Sequence, residues 1–292
     1  MEVFLKEYEV YKNVDLINLN TYRLHSKCKY LVYPRKIKEL IHLLKYLKEN
    51  KEDYIILGNG SNVILKRDIY NVVIKLDKLN IILINNNIVE VECGVNLVKL
   101  LNIITERNLG GLEFLVNIPG QVGASTRNNA GAFNKSIGDY VKEVKVIGKN
   151  NQIITLNKEE LNFNYRYSYL KENKDLIIIS TTFELENKSK DDIKKEMLEY
   201  KKIRLKNQPY DLPSAGSVFK NPLNNSAGKL IENLGLRGHN IGGAMISKKH
   251  ANFIVNKGNA TSTDIIDLIN FIKEKVKERY NIELELEQEI IN

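Results

Sequence analysis

Apolar residues recur at helical spacing after Pro34, at Ile37, Leu40, Ile41, Leu44 and Leu47, and the next apolar run, 54–57, ends in Gly58. The pattern predicts a helix leading into a strand and a glycine turn. Runs over 72–76, 81–84 and 88–91 predict strands, and Leu97, Leu100, Leu101 and Ile104 predict a helix closed by Asn108–Gly111. Strands are expected again at 141–147, 153–156 and 176–185. Ser189 then starts a helix with Ile193, Met197, Tyr200 and Ile203 on one side, and a strand follows near 252–255. Thr261-Ser-Thr-Asp264 has the form of a capping box, opening a last helix whose apolar face is Ile265, Leu268, Ile269, Ile272 and Val276. Residues 282–287 alternate with period two, which predicts a terminal strand with one acidic face.

Two stretches break this periodicity. Residues 111–138 hold Gly111, Gly120, Gly123, Gly131 and Gly138, and 213–243 form a second glycine-rich region. Ile118, Pro119, Val122 and Phe133 argue against disorder in the first, and a long ordered loop inside a domain is usually functional. Strands alternating with helices imply an α/β or α+β sheet protein, with a domain boundary close to residue 200.

A length of 292 residues suits about two domains. Forty-four Lys and Arg against 36 Asp and Glu give a formal charge of +8, but the Lys-rich stretches 190–206 and 273–279 are interleaved with acids and read as solvated helix faces. A nucleic-acid footprint needs basic and aromatic residues concentrated on one surface, so no nucleic-acid partner is expected. The charge suits an anionic ligand. Two cysteines, Cys28 and Cys93, build neither a CxxC zinc cluster nor a disulfide framework, and no metal site is expected. The start of the chain lacks a leader pattern and no run of about 18 apolar residues occurs. A cytoplasmic protein without a membrane partner is expected.

Walker A, HExxH, GxSxG, EF-hand and strand-to-helix GxGxxG motifs are absent. Four loops remain. Gly58-Asn-Gly-Ser-Asn62 follows a strand and suits backbone N–H groups converging on phosphate, or a tight Asn-Gly turn. Residues 117–131, Asn-Ile-Pro-Gly-Gln-Val-Gly-Ala-Ser-Thr-Arg-Asn-Asn-Ala-Gly, concentrate small residues where a backbone must approach something closely, a flat cofactor or a crowded turn. Tyr165-Arg-Tyr-Ser168 sets a planar donor fork between aromatics. Pro213-Ser-Ala-Gly-Ser-Val-Phe-Lys-Asn-Pro222 places two serines, a lysine and an asparagine in one short loop, where either serine also serves as a cap or turn residue.

In this order and spacing the four loops resemble the UDP-N-acetylenolpyruvoylglucosamine reductase family of flavoenzymes, which serves peptidoglycan precursor synthesis. The resemblance covers nearly the whole chain: Asn20-Thr-Tyr-Arg23, Val32-Tyr-Pro34, Leu57–Asn62, Gly111–Phe133, Tyr165–Ser168, Pro213–Pro222, Ala227–Glu232, Ile241–Ala244, Lys249–Asn256 and Leu284-Glu-Leu-Glu287. It implies an α+β fold: a two-subdomain FAD-binding region of the vanillyl-alcohol-oxidase (PCMH) type, followed by an α+β substrate-binding domain. The expected ranges are 1–72 and 73–200 for the flavin subdomains and 201–283 for the substrate domain, with the strand 284–292 returning to 73–200. Non-covalent FAD, NADPH as hydride donor, a UDP-sugar substrate and a monomeric state are implied.

By the same resemblance Gly58, Asn59, Gly60, Ser61, Asn62 and Val63 would hold the FAD diphosphate, and Pro119, Gly120, Gly123, Ala124 and Ser125 would run along the flavin. Arg166 would stabilise a developing enolate, Ser217 would deliver a proton to the neighbouring carbon, and Glu287 would assist. Glu289, two residues on, is the competing candidate; Glu287 is chosen because its spacing from Lys249-His-Ala-Asn-Phe runs without a gap. Tyr165, Asn221 and His250 would contact substrate; a local turn bond and a buried histidine are the alternatives for the last two. The chain departs from the family pattern at His25-Ser-Lys-Cys28 and at Asn117, which stands where a glycine usually precedes Ile-Pro-Gly. The short interval from Arg166 to Ser217 matches the class without an inserted tyrosine loop. Against these stand a different oxidoreductase on the same flavin fold and a polyanion-binding module without catalysis.

Overall fold

The computed structural model describes residues 2–292, with helices and strands throughout. The chain divides into two compact units. One holds the residues up to Lys12, Tyr30–Gly58 and Asn71–Lys202; the other holds Asn13–Lys29, Asn59–Tyr70 and Ile203–Asn292.

The first unit is built on an antiparallel five-stranded sheet in the order Ile153–Asn157, Val141–Ile147, Ile177–Glu184, Ile88–Glu92, Ile82–Asn85. Val89 and Val91 alternate inward on one strand, and Val144 and Val146 on another. The helix Leu97–Glu106 starts at Asn96, whose side chain accepts from the Val98 N–H, and buries Leu97, Leu100, Leu101 and Ile104. Ile37–Glu49 is a second amphipathic helix, burying Leu40, Leu43, Leu44 and Leu47. Tyr54–Ile56 lies parallel to Ile69–Ile74, with Ile56 opposite Ile74.

Between sheet and surface runs the first glycine-rich stretch, and it is ordered. Its short helix Val122–Arg127 lies against the strand Ile177–Glu184, where the Thr126 and Thr181 hydroxyls meet at 3.0 Å. Gly123 is required here: its N–H bonds the Cys93 carbonyl at 2.9 Å, and a Cβ would stand 2.7 Å from that of Cys93. Burial pushes the Cys93 thiol up to about 12, so it packs as a small apolar residue.

The second unit has its own core, formed by Tyr22, Leu24, Ile64, Phe219, Ile231, Ile254, Leu268, Ile272 and their neighbours. A three-stranded antiparallel sheet, Asn240–Ile241, Ala244–Ile246 and Ile254–Asn256, is covered by the helix Ser262–Tyr280. The capping box is formed in full, with Thr261 accepting from the Asp264 N–H and Asp264 from the Thr261 N–H.

The chain's last segment corrects one expectation. Residues 282–287 make a single bridge, Leu286 to Phe219, because the partner segment offers bonds only from Val218 to Lys220. The terminal strand is Glu289–Ile291, and it runs parallel to Val63–Leu65 instead of joining 73–200. The helix Lys190–Asn207 buries only Ile193 fully, and Ile203 is 46% exposed although the spacing placed it on the inner side.

That helix is held at Glu196, whose carboxylate takes bonds from Lys188, from the Tyr200 hydroxyl at 2.7 Å and from Lys135 at 3.1 Å. Burial alone would raise its pKa, but the bonds from Lys188, Tyr200 and Lys135 outweigh that and bring it down to about 2. A folded-state value below the unfolded one gives stability that is present above the unfolded pKa and is lost as pH falls toward the folded one. We expect the urea midpoint of the protein to fall between pH 4.5 and about 2 more steeply than that of Glu196→Gln; equal slopes would show that Glu196 carries no such linkage.

Candidate active site

In the first unit, Gly58 ends the segment that follows Tyr54–Ile56. A Cβ on Gly58 would sit 3.3 Å from that of Ala124 and 3.5 Å from the Gln121 side-chain oxygen, so the two glycine loops abut here. Pro119 and Ala124 are exposed, while Gly120, Gly123 and Ser125 are buried beneath them. Asn117, one of the departures, has φ +58°, a left-handed backbone that glycine and asparagine adopt most readily.

The arginine turn is docked on the same loop. Asn164 and Tyr167 exchange backbone hydrogen bonds of 3.1 and 3.0 Å, making a tight turn with Tyr165 and Arg166 at its tip. The buried Ser168 hydroxyl donates to the Arg127 carbonyl at 2.6 Å, and the Asn129 amide donates to the Asn164 carbonyl at 2.7 Å. Arg166 itself has φ +55°, and its guanidinium carbon lies 5.3 Å from the Tyr165 ring centroid. A Cβ on Gly131 would come within 3.2 Å of an Arg166 guanidinium nitrogen. Tyr165 is 50% exposed. The serine of the motif thus anchors the turn, while the arginine is presented by it.

In the second unit, Ser217 lies in a loop held from both sides. The buried Gln288 amide donates to the Ala215 and Gly216 carbonyls at 3.0 and 3.2 Å and accepts from the Tyr22 hydroxyl at 3.0 Å. Beyond Ser217, the Val218 N–H bonds the Asn252 carbonyl at 2.9 Å, and the Asn252 side chain bonds both N–H and C=O of Phe219. The Glu287 N–H donates to the Val218 carbonyl at 2.9 Å, which sets Glu287 beside the serine loop. The Glu287 carbonyl accepts from the Asn62 side chain at 3.2 Å, and the Glu289 N–H bonds the Asn62 carbonyl at 2.9 Å. Glu289 itself pairs with Val63, one step farther from Ser217.

Gly60 has φ +61°, and a Cβ there would stand 2.2 Å from the Leu19 carbonyl oxygen, so it packs on Leu19–Asn20. The carbonyl of Gly60 accepts from the Thr21 N–H at 3.0 Å. At the other departure, His25 bonds Asp15 at 2.8 Å and the Ser26 hydroxyl donates to the Arg67 carbonyl at 2.7 Å. The Asn221 side chain accepts from the Ala227 N–H at 3.1 Å, a local bond at a helix start. The His250 Nδ1 faces the Asn252 N–H at 3.2 Å and accepts from it, which leaves the proton on Nε2.

Three residues that sequence reasoning did not single out hold this geometry: Gln288, Asn252 and the buried Lys75, which donates to the Gly58 carbonyl at 2.5 Å. Among the described residues no cluster of three or more His, Cys, Asp or Glu is placed to hold a metal. The residues present fit a flavin nucleotide. Gly58 and Ala124 offer no bulk, a buried cation stands behind Gly58, and the Asn128 side-chain oxygen in the second loop is a buried acceptor with no hydrogen-bond partner.

Two outcomes are expected. Since φ at residue 166 is left-handed, Arg166→Gly should be more stable to urea than Arg166→Ala by about 1 kcal/mol or more; equal stabilities would deny the strain. Burial, reinforced by the charge of Arg237, lowers the pKa of His250, so its imidazole should titrate below 6.5 with the Nε2–H tautomer in nitrogen-edited NMR. Titration at or above 6.5 would overturn that assignment.

Comparison with known proteins gives the family. The family model described as "UDP-N-acetylenolpyruvoylglucosamine reductase, C-terminal domain" matches residues 208–291, and the one described as "FAD binding domain" matches 28–157. A UDP-N-acetylenolpyruvoylglucosamine reductase of Caldanaerobacter subterraneus subsp. tengcongensis is 39% identical over 292 residues, covering 100% of this chain and 96% of its own length. One from a Thermotoga species is 44% identical over 270 residues, covering 92% and 89%. The crystal structure of the Thermus caldophilus reductase superposes with a TM-score of 0.82 at 32% identity, covering 98% of this chain and 100% of its own. The α+β fold, with its flavin-binding region of the PCMH type, is therefore that of these relatives. The chain belongs to the UDP-N-acetylenolpyruvoylglucosamine reductase family and is an FAD-dependent oxidoreductase.

Proposed function

We propose that this protein reduces UDP-N-acetylglucosamine enolpyruvate to UDP-N-acetylmuramate, with NADPH as reductant, in peptidoglycan precursor synthesis. The observation that carries the reading is the seating of Glu287 between Val218, next to Ser217, and Asn62 of the first glycine loop. Residues 1–72 and 73–200 carry the flavin part in this reading and 201–283 the substrate part. Gly58 to Val63 would hold the FAD diphosphate, and Pro119, Gly120, Gly123, Ala124 and Ser125 would line the flavin. Bound there, FAD would supply the hydride chemistry that links NADPH to the terminal carbon of the enolpyruvyl double bond.

Delivery of hydride there leaves carbanion character on the carbon that bears the carboxylate. Arg166 meets that charge with a planar, permanently cationic fork, carried at the tip of a turn that Ser168 and Asn129 anchor. Ser217 donates its hydroxyl proton to the same carbon. A serine is a weak acid in water, but the carbanion is a strong base, and a donor held in place needs no solvent reorganisation. The Ser217 loop is fixed by Gln288 on one side and by Asn252 on the other, which is what a positioned donor requires. Glu287 assists the enolate through its carboxyl group. Tyr165 contributes exposed ring surface to the substrate, His250 offers its Nε2–H, and Asn221 serves the diphosphate through its amide nitrogen while its oxygen caps the neighbouring helix.

Ser217→Ala is expected to lower turnover by about 10²–10⁴-fold while flavin absorbance still bleaches at the wild-type rate with anaerobic NADPH. Full turnover in Ser217→Ala would favour a different oxidoreductase on the same flavin fold. A protein that shows no flavin absorbance even after FAD is added would sink the reading altogether. Glu287→Gln should be slower than Glu289→Gln in the same assay; the reverse order would move the assisting role to Glu289.

A further inference from the structure

Lys75 follows the strand Ile69–Ile74 and is 3% exposed, although lysine is almost never so buried without a partner. Its place follows from register. Ile56 lies opposite Ile74, the Leu57 N–H bonds the Ile74 carbonyl at 3.0 Å, and one step farther Lys75 comes beside Gly58. The ammonium donates to the Gly58 carbonyl at 2.5 Å and lies 3.4 Å from the Asp77 carboxylate, whose side chain is 40% exposed. Burial lowers the lysine pKa and Asp77 opposes this only in part. A buried ammonium with one carbonyl and one half-solvated carboxylate is a poor way to stabilise a fold, since an apolar side chain of similar volume would cost less.

We propose that Lys75 is a positioning residue for the FAD diphosphate, acting through the Gly58 peptide. In a trans peptide the carbonyl and the following N–H point in opposite directions. With the Gly58 carbonyl turned onto Lys75, the Asn59 N–H is turned away from it, to the side from which an anion is met. The ammonium also places positive charge directly behind the loop, in surroundings of low dielectric where a charge acts strongly. The proposal rests on the flavin reading of residues 58–63, and it adds a residue outside both glycine loops to the machinery that holds the cofactor.

The test compares FAD with riboflavin, which lacks the diphosphate together with the adenosine it carries. Release of each flavin from the full-length protein is followed by fluorescence, and thermal unfolding is followed on the flavin-free protein. Lys75→Met is expected to weaken FAD by about tenfold or more, the weight of one charge-assisted hydrogen bond, with riboflavin affinity unchanged and the flavin-free protein no less stable. Lys75→Gln, which keeps an amide donor without the charge, should fall between Lys75→Met and the wild type. It is judged by the same FAD-to-riboflavin ratio if Lys75→Met does not fold. FAD affinities within twofold of wild type, or equal losses for FAD and riboflavin, would overturn the proposal. A wild-type protein that binds no FAD would instead defeat the flavin reading on which it rests.

Discussion

The two hydrogen bonds at Glu287 are the constraint on which the second unit's chemistry depends. Its N–H is committed to Val218 and its carbonyl to Asn62, so one residue of the terminal segment joins the serine loop to the end of the first glycine loop. These segments are far apart in sequence, and closing such long loops costs chain entropy that local contacts cannot offset. The compensation is visible in the surroundings. Tyr22, Gln288 and Asn256 are buried and mutually tied, with the Asn256 side chain donating to the Tyr22 carbonyl at 2.8 Å, and the parallel pairing of Glu289–Ile291 with Val63–Leu65 extends the tie. A buried polar network of this kind is worth its desolvation only when its members are satisfied, and that requirement fixes one geometry.

The first unit uses a different device for the same end. Ser168 and Asn129 bond across to backbone carbonyls, so the arginine turn and the second glycine loop are tied to each other. Neither bond involves Arg166. The turn that presents the arginine is thus anchored through Ser168 and Asn129.

Much of the fold was legible because it rests on periodicity. The helices at 97–106 and 262–280 bury the residues their spacing named, the helix at 37–49 buries Leu40, Leu44 and Leu47 but leaves Ile37 and Ile41 half-buried, and the capping box at Thr261 and Asp264 is local enough to read directly. The terminal strand was not legible, since alternation in 282–287 says nothing of whether a partner is long enough to form a ladder. The discontinuous make-up of the two units, with the chain passing between them after Lys12, Lys29, Gly58, Tyr70 and Lys202, also lies beyond any local signal. Of the proposed site, Ser217, Arg166 and the glycine loops are named by motif, whereas Gln288 and Asn252 act through contacts distant in sequence. Lys75 was hidden for a sharper reason: inside the expected strand 72–76 a single lysine gives no sign that it is buried, and only the register with Tyr54–Ile56 turns it inward.

The backbone conformations separate shape from chemistry. Fourteen non-glycine residues have left-handed φ among the described residues, and ten of them are asparagines, including Asn117 in the first glycine-rich stretch. Asparagine tolerates that region because its short amide bonds nearby backbone, so it substitutes for glycine where only the turn matters. The remaining four are Arg23, Lys51, Phe133 and Arg166, and three of these lie in the segments that carry the resemblance to the reductase family. A large side chain in a left-handed turn costs conformational energy that asparagine at the same position would lessen. At 166 that cost falls on the residue that the proposed reaction uses as its cation, which is where a strained backbone is expected when a side chain is to be presented.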